Sequence, residues 1–241
     1  MNAREMHYDF KQKLNKIDSQ KYRNLYVPEI DWKLNEAQDV FVKMIAEPRY
    51  AKLIGFESSQ RTIEDIITIV EDQNQTSGTC ITPTIYDTNR YLATIPDDYW
   101  FHVRSKVIAS KGSCTNVLLD THQRQHDDLH ERSPFDRSSF EWRYINMEYN
   151  SDGFVLFTDG TFQVNKFCLS YIRFPRFIHN AQDYQGGTYT SLSGQVLTGS
   201  QSCELPPKTH REIVDIAVLI TTGDLQIPDY AIKANKLTLT N

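Results

Sequence analysis

Apolar residues recur with helical spacing through the first third of the chain, and from about Thr79 they alternate as in a strand. Phe10 and Leu14 begin the helical part inside a mostly polar segment. Pro28 then opens a helix carrying Ile30, Leu34, Ala37, Phe41, Met44 and Ile45, an i, i+4, i+7, i+11 stripe that ends before Pro48. After the break at Gly55, Ile63, Ile66, Ile67 and Val70 form a second stripe that Ser58 or Ser59 can cap. Two such helices can pack antiparallel.

Tyr91, Ala93 and Ile95 alternate before Pro96, and Phe101, Val103, Val107 and Ala109 alternate after Asp97-Asp98. Asp152-Gly153 and Asp159-Gly160 bracket the run Phe154–Thr158, and each Asp-Gly can make a tight hairpin turn. These signals predict a three-stranded meander over 140–149, 154–158 and 161–174. In its last strand the apolar parity shifts between Val164 and Phe167, which predicts a bulge near Asn165-Lys166.

The stretch 177–202 has no Lys or Arg, one acid at Asp183, and much Gly, Ser, Thr, Gln and Tyr. A structureless loop of that length is improbable inside a compact domain, so an extended arm or binding loop is expected. Tyr184, Tyr189, Leu192 and Val196 are its candidate contacts. Past it, Thr209 and Glu212 have capping-box spacing and Gly223 can stop the helix between them. Ile213, Ile216, Ala217 and Ile220 share one face of that helix, and Val214, Val218 and Leu219 widen it beyond a one-sided stripe. Either the chain's own domain or a neighbouring copy must cover the extra width. One more short helix or strand is expected after Pro228. The fold class is therefore α+β. Terminal helices (1–75 and 205–241) form a small bundle, with an antiparallel β domain or sandwich (76–204) that carries the arm between them.

Composition narrows the function. The chain has 241 residues and a net charge of -5, with a pI near 5.8, which argues against a dedicated nucleic-acid binder. Cys80, Cys114, Cys168 and Cys203 are scattered without a Cys-x-x-Cys pair, so reduced thiols are expected rather than zinc or a disulfide framework. The N-terminal residues lack an apolar signal core, and no apolar run approaches the roughly 18–20 residues of a membrane span.

Chemistry is thinly signalled. His122, His126 and His130 would share a helical face suited to a divalent metal. Their neighbours are almost wholly polar, with Leu129 the one apolar residue, which favours a solvated or interface-facing turn over a packed metal site. Ser191 and Ser193 lack a nucleophile-elbow context, and no Gly-rich phosphate loop occurs. Asp97-Asp98 reads as a turn rather than an acid–base pair. Aromatic residues are plentiful, with 13 Tyr, 12 Phe and 3 Trp, and several adjoin Arg, as in Trp142-Arg143-Tyr144 and Tyr171-Ile172-Arg173-Phe174. That pairing dominates protein–protein contact surfaces.

Four segments follow one another in a telling order: Tyr91–Tyr99 leading into a strand, Asp152-Gly153 with Asp159–Phe162, Tyr171–Pro175, and Glu204–Ala217. The succession resembles head-to-tail connectors of short-tailed bacteriophages, most closely the neck ring or tail-tube adaptor proteins of crAss-like gut phages. The resemblance implies a non-enzymatic virion protein without cofactor, assembled in the host cytoplasm into a ring, commonly a dodecamer. Such a ring sits between the portal and neighbouring neck or tail proteins and lets double-stranded DNA pass without specific binding. It also implies that Ile213, Ile216, Ala217, Val218 and Ile220 pack between subunits, and that the arm grips an adjacent subunit or ring. Two other readings of the residues are a metal-dependent hydrolase using the three histidines and a monomeric β-sandwich that binds a receptor or glycan.

Overall fold

A computed structural model describes residues 1–15, 25–46, 64–72, 80–123 and 136–225. The fold is α+β, in two compact units: Met1–Ile69 with Pro175–Asn241, and Val70–Phe174.

The first unit is built on helices α1 (Ala3–Asn15), α2 (Val27–Ala46) and α3 (His210–Asp224). Asn2 and Glu5 cap α1 reciprocally, each side chain accepting from the other's backbone N–H at 2.7 and 3.0 Å. Phe10 and Leu14 of α1 and Ile30, Leu34, Ala37 and Phe41 of α2 are buried as expected, with Met6 buried one turn before Phe10. Both helices pack on α3, whose Ile213, Val214 and Ala217 have no exposed surface. Lys13 of α1 bridges Asp215 at 2.8 Å, and Lys33 of α2 bridges Asp224 at 2.5 Å. The second expected stripe is shorter than its spacing suggests. Residues 64–66 are helical, Ile67–Ile69 tighten to a 3-10 turn, and Val70 already begins a strand. Its cap candidates Ser58 and Ser59, with Ile63, lie outside the described residues, as does the segment after Pro228.

Two features of α3 differ from expectation. Thr209 makes no capping bond, because its own backbone is already helical. Its hydroxyl instead donates backward to the Pro206 carbonyl at 2.9 Å. Gly223 lies within the helix, which continues to Asp224 and is capped by Leu225.

Gln38 on α2 is 1% exposed, and neither end of its amide has a hydrogen-bond partner among the described residues. Leaving such a group unpaired costs about 1–3 kcal/mol. Gln38→Leu is therefore expected to stabilise the helical unit by about 1–2 kcal/mol, measured as a higher denaturant midpoint at constant slope. A lower midpoint would show that buried water already serves the amide.

The second unit is one eight-stranded sheet. Its strands are β1 (Val70–Asp72), β2 (Thr84–Asp87), β3 (Arg90–Ala93), β4 (Tyr99–Lys111), β5 (Cys114–Gln123), β6 (Tyr144–Asn150), β7 (Gly153–Phe157) and β8 (Gln163–Arg173), in the order β1-β8-β4-β5-β6-β7-β3-β2. Among the described strands, only β5 and β6 pair in parallel. The expected meander is thus a single hairpin, β6–β7. β8 leaves it to pair with β4 and β1 at the other side of the sheet. Asn150 pairs with Gly153, so Ser151 and Asp152 make the turn and Gly153 is the first strand residue. Glycine is required there by φ +147° and by the Ala93 carbonyl oxygen, which a Cβ would meet at 2.3 Å. The expected bulge is present: Ile108 faces Lys166 and Ala109 faces Val164, which leaves Asn165 unmatched.

The sheet is rolled upon itself. Tyr99 on β4 touches Phe154 on β7 at a ring separation of 5.7 Å, and Phe154 touches Phe167 on β8 at 5.4 Å. One core, including Val107, Leu119, Ile145, Leu156, Phe167 and Leu169, fills the inside. Ile81 bonds the Phe167 backbone in both directions at 2.8 and 2.7 Å. Since β4 occupies one side of Phe167, Ile81 lies on the open edge of β8. Three residues later the chain enters β2, the opposite edge strand. Three residues reach at most about 10–11 Å, so the two edges of the sheet lie close together. The thiols at this seam are not reduced as expected: Cys80 and Cys168 form a disulfide across an 88-residue separation. The Ile81–Phe167 pairing brings them together, a long-range contact that cysteine spacing does not reveal. Cys114 and Cys203 are free.

Candidate subunit-contact surface

Residues 177–202 belong to the helical unit rather than to the β domain expected to carry them. The segment contains two 3-10 turns, Ala181–Asp183 and Gln185–Gly187, and a hairpin of β9 (Thr188–Thr190) and β10 (Val196–Thr198). Gly186 and Gly187 both take positive φ, which lets the chain turn into β9.

Two residues of α2 hold this segment. The Asn35 side chain bonds the Ile178 backbone twice, at 2.7 and 2.8 Å. Asp31, fully buried, lies 2.6 Å from His7 Nε2 on α1 through Oδ1. Its Oδ2 accepts the Asn180 N–H at 3.1 Å and the Tyr189 hydroxyl at 2.6 Å. Burial, reinforced by the hydrogen bond to Asp31, drives the Tyr189 phenol far above its usual range, so it remains a donor at any ordinary pH. Tyr184 packs edge-on against Tyr189 at 5.8 Å. A backbone pairing of His179 with Gln201 closes the base.

The hairpin tip is presented to solvent. Leu192 is 81% exposed and Val196 64%, whereas Leu197 beside them is buried. Ser191 and Ser193 bond each other at 2.8 Å, and the Ser191 hydroxyl accepts the Gln195 N–H at 3.2 Å, so these serines shape the turn. Of the four expected arm contacts, Tyr184 and Tyr189 therefore secure the base while Leu192 and Val196 face outward. The α3 residues expected between subunits lie differently. Ile213, Ile216, Ala217 and Val218 are buried within the chain, against the two helices that pack on α3. Leu219 and Ile220 are half-buried.

In the β unit, β2 is an edge strand with Ile85 78% exposed and Tyr86 exposed beside it. Trp142 is exposed at a turn held by Ser139, while Phe140 from the same turn packs on Phe162. Of the Arg–aromatic pairs, Arg173 is fixed to Glu71 at 3.2 Å, and Phe174 stacks on Trp100 at 4.7 Å.

The chemical candidates are not assembled among the described residues. His122 ends a strand rather than lying on a helix, with its ring edge-on to Tyr144 at 5.5 Å. His126 and His130 lie outside the described residues. No cluster of His, Cys, Asp or Glu fit for a metal occurs among those described. Asp98 accepts the Tyr171 hydroxyl at 2.9 Å and its carbonyl takes the Phe174 N–H at 2.8 Å, which is a structural role. No described helix is long and apolar enough to cross a membrane.

A sequence-local motif could not have revealed Asp31, but its position gives a signal. It shares a helical face with Leu34, Gln38 and Phe41, so a carboxylate stands in a row of core positions.

This architecture defines an α+β chain that presents an apolar hairpin from a firmly tied base. The chain belongs to the phage tail ring protein 3/4 family of crAss-like phages, whose model matches residues 1–227. It is a structural component of the phage tail. No curated protein is significantly similar to it.

Proposed function

We propose that this subunit oligomerises into a head-to-tail connector ring, a dodecamer, that joins portal-side and distal tail proteins around the DNA passage. The observation that carries this reading is the β9–β10 tip, where Leu192 and Val196 are exposed on a base tied down through Asp31 and Asn35. A ring needs a heterologous interface in which each subunit offers two different patches. The tip serves as one patch and grips an adjacent subunit or ring. The half-buried Leu219 and Ile220 of α3 contribute to a second. The net charge of -5 suits a passage through which DNA moves without being held by phosphate contacts.

Cutting away the whole segment is a poor test, because Tyr189 is part of the fold. Leu192→Asp combined with Val196→Asp changes only exposed side chains. That variant should keep wild-type circular dichroism and melting temperature yet fail to form rings, or to join portal-containing particles, by native mass spectrometry and negative-stain imaging. Ring formation at wild-type protein concentration would remove the gripping role of the hairpin.

A further inference from the structure

The seam of the rolled sheet is fastened by a disulfide, Cys80–Cys168. Cys168 lies within β8, only 5% exposed, and Cys80 is half-buried on the open edge beside it. Beside that disulfide, two Ile81–Phe167 backbone bonds and the packing of Ile81 on the core hold this segment to β8. From this point the chain crosses to β2, so the same short segment ties both edges of the sheet together.

We propose that Cys80–Cys168 is a redox-operated closure of this seam. The reduced subunit is loose there, and the oxidised subunit is locked. The reaction is thiol–disulfide exchange with a small thiol of the glutathione class. A thiolate attacks the sulfur of Cys80, the less buried of the two residues, forms a mixed disulfide and expels the Cys168 thiolate, which takes up a proton. A second small thiolate attacks the outer sulfur of the mixed disulfide and releases Cys80 as a thiol. The net change is one protein disulfide and two small thiols giving two protein thiols and one small disulfide; the reverse reaction closes the seam. A newly made subunit in a reducing compartment thus has a compliant β unit, and it stiffens on meeting an oxidising medium.

The test uses the full chain as an isolated protein, so its outcome is independent of whether rings form. Protein is equilibrated with dithiothreitol or with oxidised glutathione. Alkylation and mass spectrometry count the thiols, and amide hydrogen exchange reports on Ile81 and Phe167. The oxidised form should protect Cys80 and Cys168 from alkylation. In the reduced form the Ile81 and Phe167 amides should exchange about tenfold faster or more, while those of α2 are unchanged. Cys80→Ser should match the reduced wild type under both conditions, and Cys114→Ser should switch as the wild type does. Equal protection of Ile81 and Phe167 in the two redox states would overturn the proposal. So would free Cys80 and Cys168 thiols after treatment with oxidised glutathione.

Discussion

Asp31→Ala should unfold the helical unit while the β unit stays intact. One buried carboxylate serves His7, Asn180 and Tyr189 together, so its removal leaves an imidazole, a peptide N–H and a phenol without their acceptor. Deleting one member of a buried, hydrogen-bonded charged set costs about 3–5 kcal/mol. That is a large part of the about 5–15 kcal/mol that holds an ordinary domain together. The effect should begin at the β9–β10 hairpin, which loses its tie to α2, and spread to α1 through His7. The readout is helical circular dichroism in a denaturant titration, with hydrogen exchange to separate the units. Amides of α1, α2 and residues 178–201 should lose protection, and those of β4 and β8 should keep it. Asp31→Asn, which retains an oxygen acceptor of similar shape, should fall between. A wild-type midpoint for Asp31→Ala would mean that the network contributes nothing to the fold.

The contrast between this network and the helices around it shows what a sequence can reveal. α1, α2 and α3 were legible because each buries a face whose period is set within the helix itself, as Ile30, Leu34, Ala37 and Phe41 do. The Asn165 bulge was legible for the same reason, since a change of parity is local. Asp31 meets Asn180 and Tyr189 across separations of 149 and 158 residues, and no periodicity carries that information. The strand order failed similarly. Asp159-Gly160 has turn chemistry, but β8 pairs with β4 because Phe167, Leu169 and Tyr171 complete a core that includes Val107 and Ala109 of β4. Thr209 failed locally, because its backbone is already helical and its hydroxyl turns back to the Pro206 carbonyl. For the contact surface, the sequence located the arm, but not which of its residues point outward. Tyr189 and Leu192 are three residues apart and equally plausible as contacts, yet one is bonded to a buried acid and the other is solvated.

Helix α3 poses the same question, and a pair of substitutions answers it. Val218 is 5% exposed, whereas Leu219 next to it is half-buried. Val218→Glu places a carboxylate where a buried apolar side chain stood. The group must either remain charged at a large desolvation cost or take up a proton, and both routes destabilise the fold. A loss of about 3 kcal/mol or more is expected, seen as a lower melting temperature of the isolated chain, so any assembly defect would follow from unfolding. Leu219→Glu can turn its carboxylate toward water. It should cost less than about 1 kcal/mol in the isolated chain and still impair ring formation if a neighbour covers that flank. Stability measured on the isolated chain and ring yield measured by native mass spectrometry therefore separate for Leu219→Glu and fall together for Val218→Glu. If Leu219→Glu forms rings in normal yield, α3 is a core helix alone, and the second patch of the ring interface must lie elsewhere, with the exposed Ile85 edge of β2 the next surface to charge.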